Sequence, residues 1–242
     1  MNLKTKFSTC LLCSLLLTFA ACGSRPAGDS GAAGTAAAPG GTAAGGGARG
    51  AAVISANDKP LDVMTKAMRA QLDAKSYRAH VTTSSSGGTG GKMLIEYVAP
   101  DRFRMVSESK VNGKDYNQEF IIAGNGSYMK APNGQWVKSP VDASEMIKAF
   151  RDPKMLDELA KTADVKFVGL DTLDGAPMLV YQYTQTNPMG MKMTNISKTW
   201  LSVADGLPRK TESEGDFNGQ KTKTLVTMSD YNADIKIESP VK

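Results

Sequence analysis

The sequence is poor in the residues that carry most protein chemistry. It has three cysteines and one histidine in 242 residues. Cys10, Cys13 and Cys22 all fall in the first 22 positions. A disulfide scaffold, a cysteine nucleophile and a Cys/His zinc cluster are therefore excluded from the rest of the chain. A catalytic triad would have to use His80, which sits between Ala79 and Val81 with no assignable acidic or serine partner. Neither sign of charge dominates. Lys+Arg 29 against Asp+Glu 24 gives a formal +5, and losing Lys4 and Lys6 with residues 1–21 leaves +3. That balance argues against nucleic acid as a partner.

Motifs that suggest catalysis fail on context. Ser107-Glu108-Ser109-Lys110 has the Ser-x-x-Lys spacing of penicillin-binding enzymes, but that chemistry needs a helix start and these residues lie at a strand end. Gly87-Gly88-Thr89-Gly90-Gly91-Lys92 lacks the first glycine of a phosphate loop and has Met93 where Ser or Thr belongs, so it reads as a hairpin tip. Asn195-Ile196-Ser197 matches a glycosylation acceptor, which matters only in a eukaryotic secretory pathway. No enzyme, metal site or cofactor is expected.

The first residues form an address. Lys4 and Lys6 precede a short apolar run containing Leu11, Leu12, Leu15, Leu16, Leu17 and Phe19. The run is too short for a bilayer, which needs about 20 residues, and reads as a secretory signal over residues 1–21. Ala20-Ala21-Cys22 follows and resembles the bacterial lipobox, in which the cysteine is acylated. By that resemblance Cys22 carries palmitate-type acyl chains, and the absence of Asp directly after it favours the outer membrane, facing the periplasm.

Residues 22–56 read as an acylated cysteine and a tether. Gly and Ala make up 20 of the 28 residues from 25 to 52. Such a segment cannot bury enough apolar surface to offset its ordering entropy.

Residues 57–242 read as one folded domain. Asp58 is a candidate cap and Pro60 suits the first turn of a helix whose stripe is Leu61, Met64, Met68 and Leu72. Beyond Lys75 the period becomes two. Met93, Ile95 and Tyr97 alternate with Lys92, Leu94 and Glu96, Phe103 and Met105 with Arg102 and Arg104, and Phe120 and Ile122 with Glu119 and Ile121. Six Asn-Gly or Asp-Gly pairs, at Asn112, Asn125, Asn133, Asp174, Asp205 and Asn218, mark hairpin turns. About ten to eleven antiparallel strands follow, enough to curl into a part-barrel. From Asp142 to about Thr162 the helical period returns, bearing Met146, Ile147, Phe150, Met155, Leu156 and Leu159. Two short helices with this much apolar surface must cover something, and the concave face of the sheet is the candidate. Twelve of the thirteen methionines follow the signal, and adaptable side chains suit irregular apolar partners.

The ordered pieces resemble a family. They are the leading helix, Tyr97-Val98-Ala99-Pro100-Asp101-Arg102-Phe103-Arg104, Ile122 to Met129, the mid-chain helices, and Trp200-Leu201-Ser202-Val203-Ala204-Asp205-Gly206-Leu207-Pro208-Arg209-Lys210. Together they resemble the LolA/LolB-like lipoprotein-carrier superfamily, including the LppX/LprG-like lipoproteins. The resemblance implies an α+β half-barrel of antiparallel strands with an N-terminal helix and two lid helices. It also implies lipid or lipoprotein acyl chains as ligands, and donor or acceptor transport proteins as partners. The residues expected to line the concavity are Ile95, Tyr97, Phe103, Met105, Phe120, Ile122, Met146, Ile147, Phe150, Leu156, Leu159 and Trp200. A related half-barrel in the sigma-E regulator implies an alternative, an envelope sensor or protein-interaction module with a filled interior.

Overall fold

The computed structural model describes residues 54–86, 88–111, 114–124, 126–139, 143, 147, 151–152, 154, 163–186, 193–217 and 220–241. These form one helix, α1 (Pro60–Asp73), and eleven strands in a single antiparallel, curved, unclosed sheet. The strands are β1 (Ser76–Ser85), β2 (Gly90–Val98), β3 (Arg102–Val111), β4 (Lys114–Ala123), β5 (Gly126–Lys130) and β6 (Trp136–Lys138), then β7 (Asp164–Leu173), β8 (Ala176–Thr186), β9 (Met193–Ser202), β10 (Pro208–Phe217) and β11 (Gln220–Ser229). Their spatial order is β6-β5-β4-β3-β2-β1-β11-β10-β9-β8-β7. Two meanders are thus sewn together where β1 pairs with β11. All six Asn-Gly and Asp-Gly pairs fall at junctions between consecutive strands. At Asp174 and Gly175 φ is 50° and 80°, the double left-handed conformation that a tight hairpin demands.

The order places β6 and β7 at opposite edges. The chain between them must cross the width of the sheet, so an insertion at that point is positioned to lie over one face. Among the described residues, no helix is long and apolar enough to cross a membrane.

Helix α1 defines the inner face of the sheet. Val63, Met64 and Ala67 are buried against Leu179, Tyr181, Tyr183 and Leu201, with Val165 at the margin. The expected stripe is therefore rotated. Leu61, Met68 and Leu72 are only half-buried, because the small Ala67 lets the backbone approach the tyrosines. Asp58 does not cap the helix. The N-cap is Lys59, and the Asp58 carboxylate instead pairs with the Lys66 ammonium at 3.3 Å. Ile54, inside the expected tether, is buried in this same cluster.

The outer face carries a charge ladder across five strands. Arg78 binds Asp230 and Glu96 at 3.0 and 2.7 Å, and Arg104 binds Glu96 and Glu119 at 2.9 and 2.7 Å. Lys130 closes it on Glu119 at 3.0 Å. Burial alone would raise the Glu96 carboxyl, but the hydrogen bonds from Arg78 and Arg104 outweigh that and hold it below its ordinary range. Beside the ladder, Ile235 and Ile237 of the C-terminal segment pack on Ile121 and Ala123, with Val98 and Trp136 alongside.

Candidate functional site

Strand alternation and register together decide which residues meet on the inner face. Tyr97 of β2 stands opposite Phe103 of β3, which stands opposite Ile122 of β4. One row along, Ile95, Met105, Phe120 and Met129 follow each other across β2 to β5. All of these but Ile95 belong to one apolar cluster. Tyr97, Met105, Phe120 and Ile122 are buried, with Tyr77, Met93, Ala99, Phe103 and Met129 half-buried around them. Full burial of each large side chain is worth roughly 1.5–3 kcal/mol, so this face needs cover.

The cover comes from the crossing between β6 and β7. Ala143 and Ile147 are buried in the same cluster. The Ile147 N–H donates to the Ala143 carbonyl at 3.2 Å and the Arg151 N–H to the Ile147 carbonyl at 3.1 Å. Both bonds have helical i to i−4 spacing. The Ala143 N–H is held by the Ser127 hydroxyl at 3.2 Å. Arg151 lies 4.6 Å over the Tyr97 ring and donates to the Leu72 carbonyl at the end of α1. One guanidinium thus ties the crossing to the sheet and to the helix.

Six of the sequence-predicted residues come together here: Tyr97, Phe103, Met105, Phe120, Ile122 and Ile147. Ile95 lies on the same face but packs in the adjoining cluster with Ala79, Val81, Val226 and Met228. Trp200 is not among them. It stands on the outer face, between Met178 and Val180, because Leu201 beside it takes the inner direction against α1. Its indole N–H donates to Asp171 Oδ2 at 2.8 Å, and that bond, followed by one from the Thr172 N–H, holds the Asp171 carboxyl below its usual value. Lys210 and Lys198 lie 4.4 and 4.7 Å from the Trp200 ring. Met146, Phe150, Leu156 and Leu159, with Met155, lie outside the described residues, as does Cys22.

Sequence reasoning missed the other half of the inner face. On β8 to β11 it is hydroxyl-bearing, and Ser197, Thr199, Thr211, Ser213 and Thr224 are buried there. The Ser197 and Ser213 hydroxyls meet at 2.9 Å and those of Thr199 and Thr211 at 3.0 Å. Burial raises the Tyr183 hydroxyl, opposed by its hydrogen bonds to Ser197 and Thr199. The signal was present as Ser or Thr at spacing two, in Ser197-Lys198-Thr199 and Thr211-Glu212-Ser213. The floor therefore has an apolar, methionine-bearing half and a polar half whose hydroxyls bond to each other.

Nothing in this arrangement resembles an acid–base pair. Burial raises Tyr77 and Tyr97, so both stay neutral. Among the described residues no group of His, Cys, Asp or Glu is placed to hold a metal. Ser107 and Ser109 sit on β3 and donate to strand carbonyls of β4, away from any helix start. His80 is exposed on the outer face. Asn195 and Ser197 are fully buried, so this fold has no room for a glycan on Asn195.

No family model and no curated protein matches the chain. Solved structures do match. LprF from Mycobacterium bovis is 14% identical with a TM-score of 0.57, over 76% of this chain and 97% of LprF. The Mycobacterium tuberculosis lipoprotein LppX is 13% identical with a TM-score of 0.51, over 74% of this chain and 97% of LppX. At these identities the likeness is one of architecture, and the chain has the fold of LprF and LppX, as its sequence motifs led one to expect.

Proposed function

We propose that the chain is an envelope lipoprotein, anchored through acylated Cys22, that binds lipid or lipoprotein acyl chains on its inner face for carriage or transfer. It is a binder and not an enzyme. The observation that carries this reading is the apolar cluster of Tyr97, Met105, Phe120 and Ile122 under a crossing segment that contributes only Ala143 and Ile147 among the described residues. A cover that crosses between two sheet edges can open by giving up the Ser127 and Arg151 contacts, without breaking a strand ladder. Each methylene buried beneath it is worth about 0.8 kcal/mol, so one long chain supplies on the order of 10 kcal/mol before binding costs. The fold shared with the lipoprotein LppX supports the reading. Outer-membrane placement, facing the periplasm, rests on the residues after Cys22. Donor and acceptor partners are envelope proteins or membranes that match its affinity.

Native mass spectrometry of the purified full chain tests the proposal. Co-purifying lipid, lost on denaturation, is the expected result, and a lipid-free spectrum together with no uptake of added fatty acid contradicts it.

A second reading, a sensor or protein-interaction module with a filled interior, has one observation in its favour. Ala79, Val81, Val226 and Met228 at the middle of the inner face are already buried by protein. The same spectrum decides between the two.

A further inference from the structure

Strand β7 is an edge strand with an apolar surface that the other described residues leave exposed. Leu170 is 75% exposed, Val168 51% and Phe167 37%. Phe167 rests one side on the Tyr181 ring, centroids 5.2 Å apart, and leaves the rest outside. Val203, also exposed, is bound through its N–H to the Pro177 carbonyl, at the hairpin end of the same edge. The patch is a lip at the rim of the inner face, beside α1.

Where the preceding chain joins the domain identifies what meets this lip. Ile54 is buried in the cluster that holds Tyr181 and against which Val165 of β7 packs. The chain therefore enters the domain at the same corner, since Tyr181 shares a cluster with Ile54 and packs on the Phe167 ring. From Cys22 to Val53 the tether has 32 residues, rich in Gly and Ala. A Gly/Ala-rich chain of that length spans about 30 Å as a coil, and a tether of that reach would keep the lip near the anchoring surface at an effective concentration on the order of millimolar.

We propose that Phe167, Val168 and Leu170 form a membrane-contact lip that sits in the interface of a zwitterionic bilayer and turns the rim of the inner face toward the lipid. It takes only the tether from the reading above and does not depend on what the inner face binds. Charge selects the kind of bilayer. On β7 the only cation, Lys166, is paired with Asp164 at 2.9 Å, and Asp171 and Asp174 follow. Lys198 and Lys210 lie over the Trp200 ring on the outer face beside Asp171, and Lys210 is paired with Glu212, so these groups give the lip no excess of positive charge to draw anionic headgroups. Contact is by apolar insertion. A second copy adding to the edge is disfavoured. The β7–β8 register shifts between Phe167 and Gly169, where Gly169 has φ 150°, and such a bulge breaks the straight ladder that edge pairing needs.

The test uses the chain from residue 22 carrying Cys22→Ala, which is free of cysteine. A histidine tag at its start holds it on phosphatidylcholine vesicles doped with nickel-chelating lipid. An environment-sensitive label is placed at Thr172→Cys beside the lip, or at Asn117→Cys on the opposite half of the sheet; both positions are exposed. The label at 172 should shift to the blue, and brominated phosphatidylcholine should quench it severalfold more than the label at 117. Leu170→Glu should erase that difference, and added salt should leave it unchanged. Equal quenching at both positions overturns the proposal. So does a blue shift at 172 that appears with rising protein concentration in the absence of vesicles, the sign of a second copy. Because the tag replaces the acyl anchor, failure of Cys22 to take up palmitate would overturn the anchor and leave this result standing.

Discussion

Ile147 is the point at which the lid reading is most exposed to failure. It is buried among Tyr97, Met105, Phe120 and Ile122, yet it belongs to the crossing and not to a strand. Replacing it with Asp removes a side chain whose burial is worth about 2 kcal/mol and puts a carboxylate that must lose its water whenever the crossing closes. If closure over an acyl chain is part of binding, affinity should fall by roughly thirtyfold or more, since about 1.4 kcal/mol is tenfold. The sheet ladders contain no contribution from Ile147, so on this reading the crossing swings out, at the cost of the Ser127 and Arg151 contacts, and hydrates the charge. Melting should then drop only a few degrees. Ile122→Ala supplies the scale. Ile122 is wholly buried in β4, and truncation there costs about 2–5 kcal/mol of folding stability. At about 2–4 °C per kcal/mol for a domain of this size, that is a fall of several degrees to well over ten. The assay is displacement of a fluorescent fatty acid alongside a thermal melt for both variants. If Ile147→Asp binds fatty acid like wild type and melts as low as Ile122→Ala, the crossing is a fixed plug and the reasoning is wrong.

Three further expectations follow from single features. Cys22→Ala should move the protein from the membrane to the soluble envelope fraction and abolish labelling by radioactive palmitate; unchanged partition would reject the anchor. Glu96 has a lowered pKa, so the stability it confers is complete above the ordinary carboxylate range and is lost as pH falls through and below it. Glu96→Gln should therefore melt lower than wild type near pH 7 and lose less on acidification toward pH 3, and parallel curves would show that the ladder does not act through this group. Trp136 and Trp200 both stand on the outer face, so fatty acid entering the inner face should leave tryptophan emission unshifted, and a marked shift would place the ligand elsewhere.

Some of this was legible in the residues and some was not. The strands showed themselves because their turns are chemical. Asp174-Gly175 adopts the paired positive φ that only such residues accept easily. Inner-face residues on β2 to β4 were readable because period two assigns a face without knowing the partner strand. Trp200 was misplaced for the same reason in reverse. Its motif marks a hairpin, but the motif does not say which of Trp200 and Leu201 faces α1, and Leu201 does. The helix stripe rotated because sequence favours the largest apolar groups, whereas close approach to Tyr181 and Tyr183 favours the small Ala67. The hydroxyl half went unseen because Ser and Thr read as solvent-facing until register pairs them, as it pairs Ser197 with Ser213.

The central claim is that acyl chains lie against the inner face between β2 and β4. A fatty acid carrying a photoreactive diazirine near its methyl end tests it directly, with the labelled residues read by peptide mass spectrometry after irradiation of the full chain. The account predicts adducts on Tyr97, Phe103, Met105, Phe120 and Ile122, competed away by excess oleate. Adducts confined to the outer face, at Trp136, Trp200 or the Ile235 segment, or labelling that oleate does not compete, would contradict it.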